Sequence, residues 1–360
     1  MNSASPPWKT LSAADINSFT SERFSAFQRG IAKLARLPAL REQPAPHSII
    51  WQRGSARLLF YASANAAPGA APLLLVPSLI NTARIFDLSP ETSLIRYLTA
   101  HGTPVYLLDW GKPGTAEAGF NSGDYVTERL LPALAELPSG TPPVLLGYCM
   151  GGLLAAAGAQ LAGDAVSGLI LMATPWDFSA AAPAGLRVYL QALEPMGTKM
   201  LDTPGQVPAE LLQSLVLTLD PFGVVQKYIA FAGQADDEAD KQFQRIEHWL
   251  ADGVPLVNRV LREALFSWYL RNTPSEQHWQ VAQTPISPAR IVQPTLIIAP
   301  ERDRIVPPAA ALAFETPNST VLQPLTGHIG MVAGRHSAAR VWEPLRAWLA
   351  ACETHVDEKY

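Results

Sequence analysis

The sequence is poor in cysteine and in charge, and each shortage closes off a class of function. Two cysteines in 360 residues, Cys149 and Cys352, cannot build a disulfide framework. No CxxC pair and no Cys/His cluster is present, so no metal site is expected. Only 16% of residues are charged and the formal net charge is −4, which argues against nucleic-acid binding and against a polybasic membrane anchor. The opening MNSASPPWKTLSAADINS lacks the charged-then-apolar pattern of a secretion signal, so a reducing cytoplasm is expected, where a thiol nucleophile survives. No internal repeat or low-complexity tract stands out. The acidic run Asp236-Asp237-Glu238 lacks the glycine and terminal glutamate of a calcium loop and reads as an exposed helix start.

What the chain has is apolar bulk. A hydrophobic content of 48% over this length suffices for a large core, either one big α/β domain with an insertion or two ordinary domains. The most informative stretch is Val144 to Gly158, VLLGYCMGGLLAAAG, which reads as a buried strand, a glycine-bounded sharp turn and a small-residue helix. The uncharged run Pro138–Gly163 is long enough to span a bilayer, but its central glycines and strand-like VLL fit a buried βα unit better, so no membrane span is expected. Gly147 and Gly151 flank Cys149 at the spacing of a nucleophile elbow, G-x-S-x-G, with cysteine in place of serine. Met150 would then offer its backbone N–H to an oxyanion at the start of the following helix, a place that suits negative charge. A free cysteine is more often a small buried hydrophobe, so the pentapeptide alone does not decide.

Residues 1–45 read as a peripheral helix and linker. From Ser48, SIIWQRGSARLLFYAS predicts a hairpin about Arg53-Gly54-Ser55, and PLLLVPSLIN, PVYLLDWG, VLLGY and SGLILMATPWD predict further strands separated by helices. One of those helices is expected to start at Ser89-Pro90-Glu91, with serine as cap and proline in the first turn. This alternation implies a mostly parallel sheet with covered faces over 46–175. Between 176 and 285 the rhythm breaks into aromatic-rich, helix-biased segments, expected to form a mobile cap or lid. Strands resume with PTLIIAPERDRIVPP and STVLQPLTGHIG, and AARVWEPLRAWLAAC closes the core over 286–360 as an amphipathic helix.

Asp303 follows one of these last strands and His328 follows the other. An α/β-hydrolase carries its nucleophile, acid and histidine in that order at the carboxyl ends of strands. The ordered conjunction marks Cys149, His328 and Asp303 as a catalytic triad and predicts an α/β-hydrolase fold, with a mostly parallel central sheet and a helical cap insertion.

Over roughly residues 70 to 350 the sequence also resembles the polyhydroxyalkanoate synthase family. GYCMGG is similar to its cysteine-bearing lipase-like box, and VPSLINTARIFDLSPETSLIRYL to its segment leading into the helix after the oxyanion loop. VYLLDWGKP, LMATPWDF, LDPFGVVQKY, SWYLRNT, RDRIVPP and GHIGMVAG resemble further family blocks in the same order. The length is similar to that of the short synthases that work with a second subunit, whereas SWYLRNT is closer to the long forms. Family members often have histidine after the catalytic aspartate, where this chain has Arg304.

The resemblance implies an acyltransferase that polymerises 3-hydroxyacyl-coenzyme A with release of coenzyme A, the thioester being the substrate, and it implies no cofactor. Cys149 would accept the acyl group, His328 would act as base, and Asp303 would either orient the imidazole or act on the attacking 3-hydroxyl. A backbone donor from Ser78 or Leu79 would join Met150 in the oxyanion hole. The partners implied are a second copy of the chain, a second synthase subunit and the surface of the polymer granule. The competing reading is a cysteine hydrolase (thioesterase, esterase or polyester depolymerase) with water as the final acceptor. A scaffold protein that merely retains the fold is a third.

Overall fold

In the computed structural model, which describes residues 13–67, 69–182, 185–217 and 221–357, eight strands form one sheet. They are β1 (Ser48–Arg53), β2 (Ala56–Tyr61), β3 (Leu73–Val76), β4 (Val105–Asp109), β5 (Val144–Tyr148), β6 (Gly168–Met172), β7 (Thr295–Ile298) and β8 (Ser319–Leu322). Their spatial order is β1-β2-β4-β3-β5-β6-β7-β8. The predicted hairpin β1/β2 is antiparallel, β2 pairs antiparallel with β4, and every later pairing is parallel. Strands β3, β5, β6 and β7 are buried at every residue. That is why they appear in the sequence as unbroken apolar runs: helices cover both faces of a parallel sheet and leave no polar side. The helix Met150–Ala162 is almost as apolar, with its first ten residues buried.

The helix expected at Ser89 begins later, at Leu94, with Ser93 as its cap accepting from the Arg96 N–H at 3.0 Å. Ser89 instead closes a turn, its hydroxyl accepting from the Thr92 N–H at 3.1 Å. Two Ser-x-x-polar frames stand four residues apart in SPETSLIR, and the second directly precedes the apolar face Leu94, Ile95 and Leu98 that the core buries.

The chain divides into two compact units, and the insertion does not stay whole. Residues 42–219 and 249–360 make up the unit that holds the sheet, while residues 220–248 join the N-terminal segment up to Arg41. In that smaller unit the helices Ala13–Arg36 and Pro221–Ala232 pack together. Phe27 meets Tyr228 edge-on at 5.7 Å, Phe231 stacks on Phe243 at 4.0 Å, and Lys33 Nζ pairs with Asp240 at 2.7 Å. The acidic run is a helix start, with Asp236 accepting from the Glu238 and Ala239 N–H groups.

What remains of the insertion in the larger unit forms a cap. It comprises the helices Leu186–Leu201, Ala209–Leu217 and Asn258–Arg262, and the last continues as a π-helical turn, Glu263–Tyr269. Two short antiparallel ladders, Gln206–Val207 with Leu256–Val257 and Gln280–Val281 with Thr284–Pro285, tie its connections together. Among the described residues no helix is long and apolar enough to cross a membrane.

Candidate active site

The turn between β5 and the helix Met150–Ala162 is tight because its neighbours are small. Cys149 sits at φ 55° and ψ −126°, a conformation that costs an L-residue energy and persists where its surroundings enforce it. Those surroundings are backbone. The Cys149 N–H donates to the Met172 carbonyl of β6 at 2.9 Å, and the Cys149 carbonyl accepts from Gly152 N–H at 2.9 Å. A methyl group at Gly151 would run into the carbonyl oxygens of Val76 and Pro77, and one at Gly147 into the Gly152 backbone. The two glycines that frame the motif therefore permit close approach: strand, helix and the loop after β3 meet with no side chain between them.

The other two residues of the expected triad arrive at the same end of the sheet. Asp303 lies in the loop after β7, and its side chain is fully buried. Its Oδ1 accepts from the backbone N–H groups of Ile305 (2.9 Å) and Val306 (2.8 Å), and its Oδ2 lies 2.7 Å from His328 Nδ1. Both carboxylate oxygens are thus committed. His328, in the loop after β8, is buried. Burial by itself would push its pKa down, but the Asp303 carboxylate and the Cys149 sulfur, through charge and hydrogen bonding, raise it to about 10. The structure brings Cys149, His328 and Asp303 together in one constellation. Arg304 is exposed, while the adjacent Asp303 is turned inward.

The expected backbone donors are also close to the turn. Met150 opens its helix, where the first N–H groups have no partner within the helix. Ser78 and Leu79 are buried in the loop after β3, whose Pro77 carbonyl lies against Gly151 and accepts from Trp110 Nε1 at 2.9 Å.

Sequence reasoning passed over two tyrosines. Tyr148 precedes the nucleophile position, tilts over the His328 ring at 5.2 Å and donates to the His328 carbonyl at 3.4 Å. Burial pushes its phenol far up, and the negative charges of Cys149 and Asp303 add to that. Tyr269, at the end of the π-helical turn, is also pushed up by burial and by Cys149. Nothing local marks it: in EALFSWYL a tyrosine among aromatic neighbours reads as packing.

Above the thiol lies a cavity of about 500 Å³, within the range of pockets that hold a small organic ligand. Its floor is Cys149, Leu153, Ile305 and Val306, and its roof includes Phe178, Leu190, Leu212 and Leu261. No charged side chain lines it among the described residues.

A histidine bonded to a buried carboxylate, facing a cysteine on a strand-to-helix elbow at the carboxyl edge of a parallel sheet, is the arrangement of the α/β-hydrolases, and the chain belongs to that family. The profile described as "Alpha/beta hydrolase family" matches residues 73–342, and one described as "Poly-beta-hydroxybutyrate polymerase (PhaC) N-terminus" matches 43–98. Among individual proteins the chain is similar to the poly(3-hydroxyalkanoate) polymerase subunit PhaC of Haloferax mediterranei, 30% identical over 87% of this chain and 65% of that one. It is similar to the subunit of the same name from Allochromatium vinosum, 29% identical over 89% of this chain and 93% of that one. The chain thus spans about two thirds of the first relative's length and nearly all of the second's. Solved structures agree on the fold: a monoacylglycerol lipase of Paleococcus ferrophilus has a TM-score of 0.54 at 18% identity, covering 82% of this chain and 99% of its own. MenH of Staphylococcus aureus has 0.52 at 19%, covering 82% and 98%.

Proposed function

We propose that the protein is an acyltransferase that loads a 3-hydroxyacyl group from its coenzyme A thioester onto Cys149 and passes it to the hydroxyl of a further hydroxyacyl unit, building a polyester. The observation that carries this reading is a cysteine, in place of serine, on the elbow beneath an apolar chamber, in a chain similar to polymerase subunits over most of its length. Sulfur suits the exchange. Thioester to thioester transfer conserves bond type, and the enzyme-bound thioester keeps a good leaving group for the next attack.

In the first step the Cys149 sulfur attacks the thioester carbonyl. The oxyanion that forms is received by the N–H of Met150 and by a donor from Ser78 or Leu79, each such donor contributing roughly 3 kcal/mol in related chemistry. The carbonyl is restored as the C–S bond to coenzyme A breaks, and the departing thiolate takes the proton of the His328 imidazolium. The raised pKa of His328 supports this order, because it starts the cycle protonated. With its proton passed to the departing thiolate, the imidazole of the acyl-enzyme is free to act as base. It takes the proton of an incoming 3-hydroxyl, whose oxygen attacks the Cys149 thioester; an ester bond forms and the cysteine is released.

Asp303 acts in this scheme as the residue that orients His328. Its side chain is sealed from solvent and both oxygens already have partners, so an incoming hydroxyl has no open path to it. The apolar, uncharged roof supports transfer to alcohol over hydrolysis, because water has few partners in such a chamber. The implied partners belong to the same reading: a second copy, a second synthase subunit and the granule surface. The exposed side chains of Val188, Met196 and Met200 on the cap helix Leu186–Leu201 favour contact with an apolar surface.

The test is to offer purified protein 3-hydroxybutyryl-coenzyme A and follow thiol release together with product size, with and without an added synthase partner subunit. Polymer of many units per enzyme is expected. Coenzyme A released in step with monomeric 3-hydroxy acid, with no polymer under either condition, moves the protein to the hydrolases.

A further inference from the structure

The chamber above Cys149 is lined by two phenols that the scheme above does not use, the largely exposed Tyr189 on the cap helix and the half-buried Tyr269. Tyr269 lines the cavity with Cys149, its ring held edge-on against Phe178 at 5.0 Å. No group among the described residues hydrogen-bonds its hydroxyl. Its neighbour Trp268 also carries an unpartnered Nε1, but that atom is sealed from solvent, whereas the Tyr269 hydroxyl is not among the sealed ones. An accessible phenol without a protein partner, in a largely apolar cavity, leaves a donor and an acceptor open to a bound ligand.

A widened helical turn presents it. Tyr269 closes the π-helical turn Glu263–Tyr269, and such widened turns rotate the side chains that follow relative to a regular helix. The other end of the turn is anchored: the Glu263 carboxylate accepts from Ser122 N–H and from Trp279 Nε1, both at 3.0 Å. Burial and the charge of Cys149 raise the Tyr269 phenol, so the hydroxyl stays neutral and is able both to donate and to accept.

Resting on the reading of Cys149 as the acyl acceptor, we propose that Tyr269 is a specificity-determining residue, whose hydroxyl holds the 3-hydroxyl of the acyl group on Cys149 and so selects 3-hydroxyacyl over unsubstituted acyl thioesters. The thioester carbonyl goes to the backbone donor at Met150, the start of the helix beside the sulfur. The 3-hydroxyl, two carbons further along, then extends into the chamber, where Tyr269 offers a half-buried phenol among the residues that line it with Cys149. A pocket built to bond a substrate hydroxyl rejects the analogue that lacks it, because the analogue leaves the pocket's own polar group unpaired.

The experiment compares wild type with Tyr269→Phe, which keeps the ring and its contact with Phe178, on 3-hydroxybutyryl-coenzyme A and butyryl-coenzyme A. Single-turnover thiol release gives each acylation rate, and intact mass confirms acyl transfer to the protein. The wild type is expected to favour the hydroxylated substrate about tenfold or more, the size of one hydrogen bond, and Tyr269→Phe to bring that ratio close to one. General damage to the site would slow both substrates together and leave the ratio unchanged. An unchanged ratio in the variant, or no preference in the wild type, overturns the role of Tyr269 while leaving acyl transfer intact. No acylation of the wild type by either thioester overturns the reading of Cys149 and this proposal with it.

Discussion

The floor and the roof of the chamber are built on different terms. On the floor, Cys149, His328 and Asp303 stand on loops at the carboxyl ends of β5, β8 and β7, and the backbone sets where they sit: the Cys149 N–H is bonded to β6 and Asp303 Oδ1 to two N–H groups. The roof is separate helices tied by two-residue ladders, with Val188 72% and Met200 64% exposed. The difference assigns the tasks. On the proposed function, a floor set by a buried sheet is expected to supply the reaction and the helical roof to decide which substrate reaches it.

The sharpest way to break this division is at the sulfur. Cys149→Ala is expected to lower acyl transfer by at least about a thousandfold, as loss of a nucleophile does elsewhere, whereas Cys352→Ala, in the last helix, leaves it nearly unchanged. Thiol release from a hydroxyacyl-coenzyme A measures both, and comparable losses in the two variants would end the assignment of the floor.

Asp303→Asn tests whether the carboxylate orients the histidine or works on the hydroxyl. With both oxygens already bonded, the orienting role predicts that acylation and elongation fall together, by about a hundredfold or more. If the variant acylates normally in a single turnover and fails only to elongate, the carboxylate acts on the hydroxyl and the floor does more than its hydrogen bonds indicate.

A third, smaller effect is on stability. An unfolded histidine titrates near 6.5, and His328 in the fold near 10. A pKa raised on folding stabilises the protein while the histidine is protonated in both states. That contribution is fully present below about pH 6.5 and is lost as pH rises through about 10. Denaturation midpoints measured from pH 6.5 to 10 should therefore fall more steeply for the wild type than for His328→Gln. Parallel curves would mean that the Asp303 and Cys149 charges do not hold the proton on His328.

The mildest contrast is in motion. Hydrogen exchange in Leu186–Leu201 and Ala209–Leu217 is expected to be faster than in β5 and β6, and to slow when a non-hydrolysable acyl-coenzyme A analogue is added. Equal protection of roof and strands, with and without the analogue, would count against a gating cap.

The floor was far more legible in the sequence than the roof, for a physical reason. Strands buried on both faces leave unbroken apolar runs such as LLLV and GLILM, and an elbow needs glycine where a methyl would strike backbone, so Gly147 and Gly151 mark Cys149 without any knowledge of distant contacts. Asp303 and His328 were found by their order after the nucleophile. The roof has no such local code. That residues 220–248 leave the insertion for the N-terminal helix depends on pairs such as Lys33 with Asp240, about 200 positions apart, and amphipathic helices do not announce which partner their apolar face will meet. The helix start at Ser93 instead of Ser89 was decided by the burial of Leu94, Ile95 and Leu98, a tertiary choice between two acceptable local caps. Tyr269 went unnoticed because a tyrosine in an aromatic helix is ordinarily packing, and its significance lies in the absence of a partner, which sequence does not reveal.

The most direct test of the whole account is the covalent intermediate itself. The protein is mixed with one equivalent of 3-hydroxybutyryl-coenzyme A, quenched in acid and examined by intact mass and peptide mapping. The account predicts a gain of one 3-hydroxybutyryl group on the peptide that contains Cys149, absent from Cys149→Ala and lost when a hydroxyacyl acceptor is added before the quench. Turnover of the thioester with no acyl group on Cys149 at any quench time, or with the label on Cys352, would contradict it.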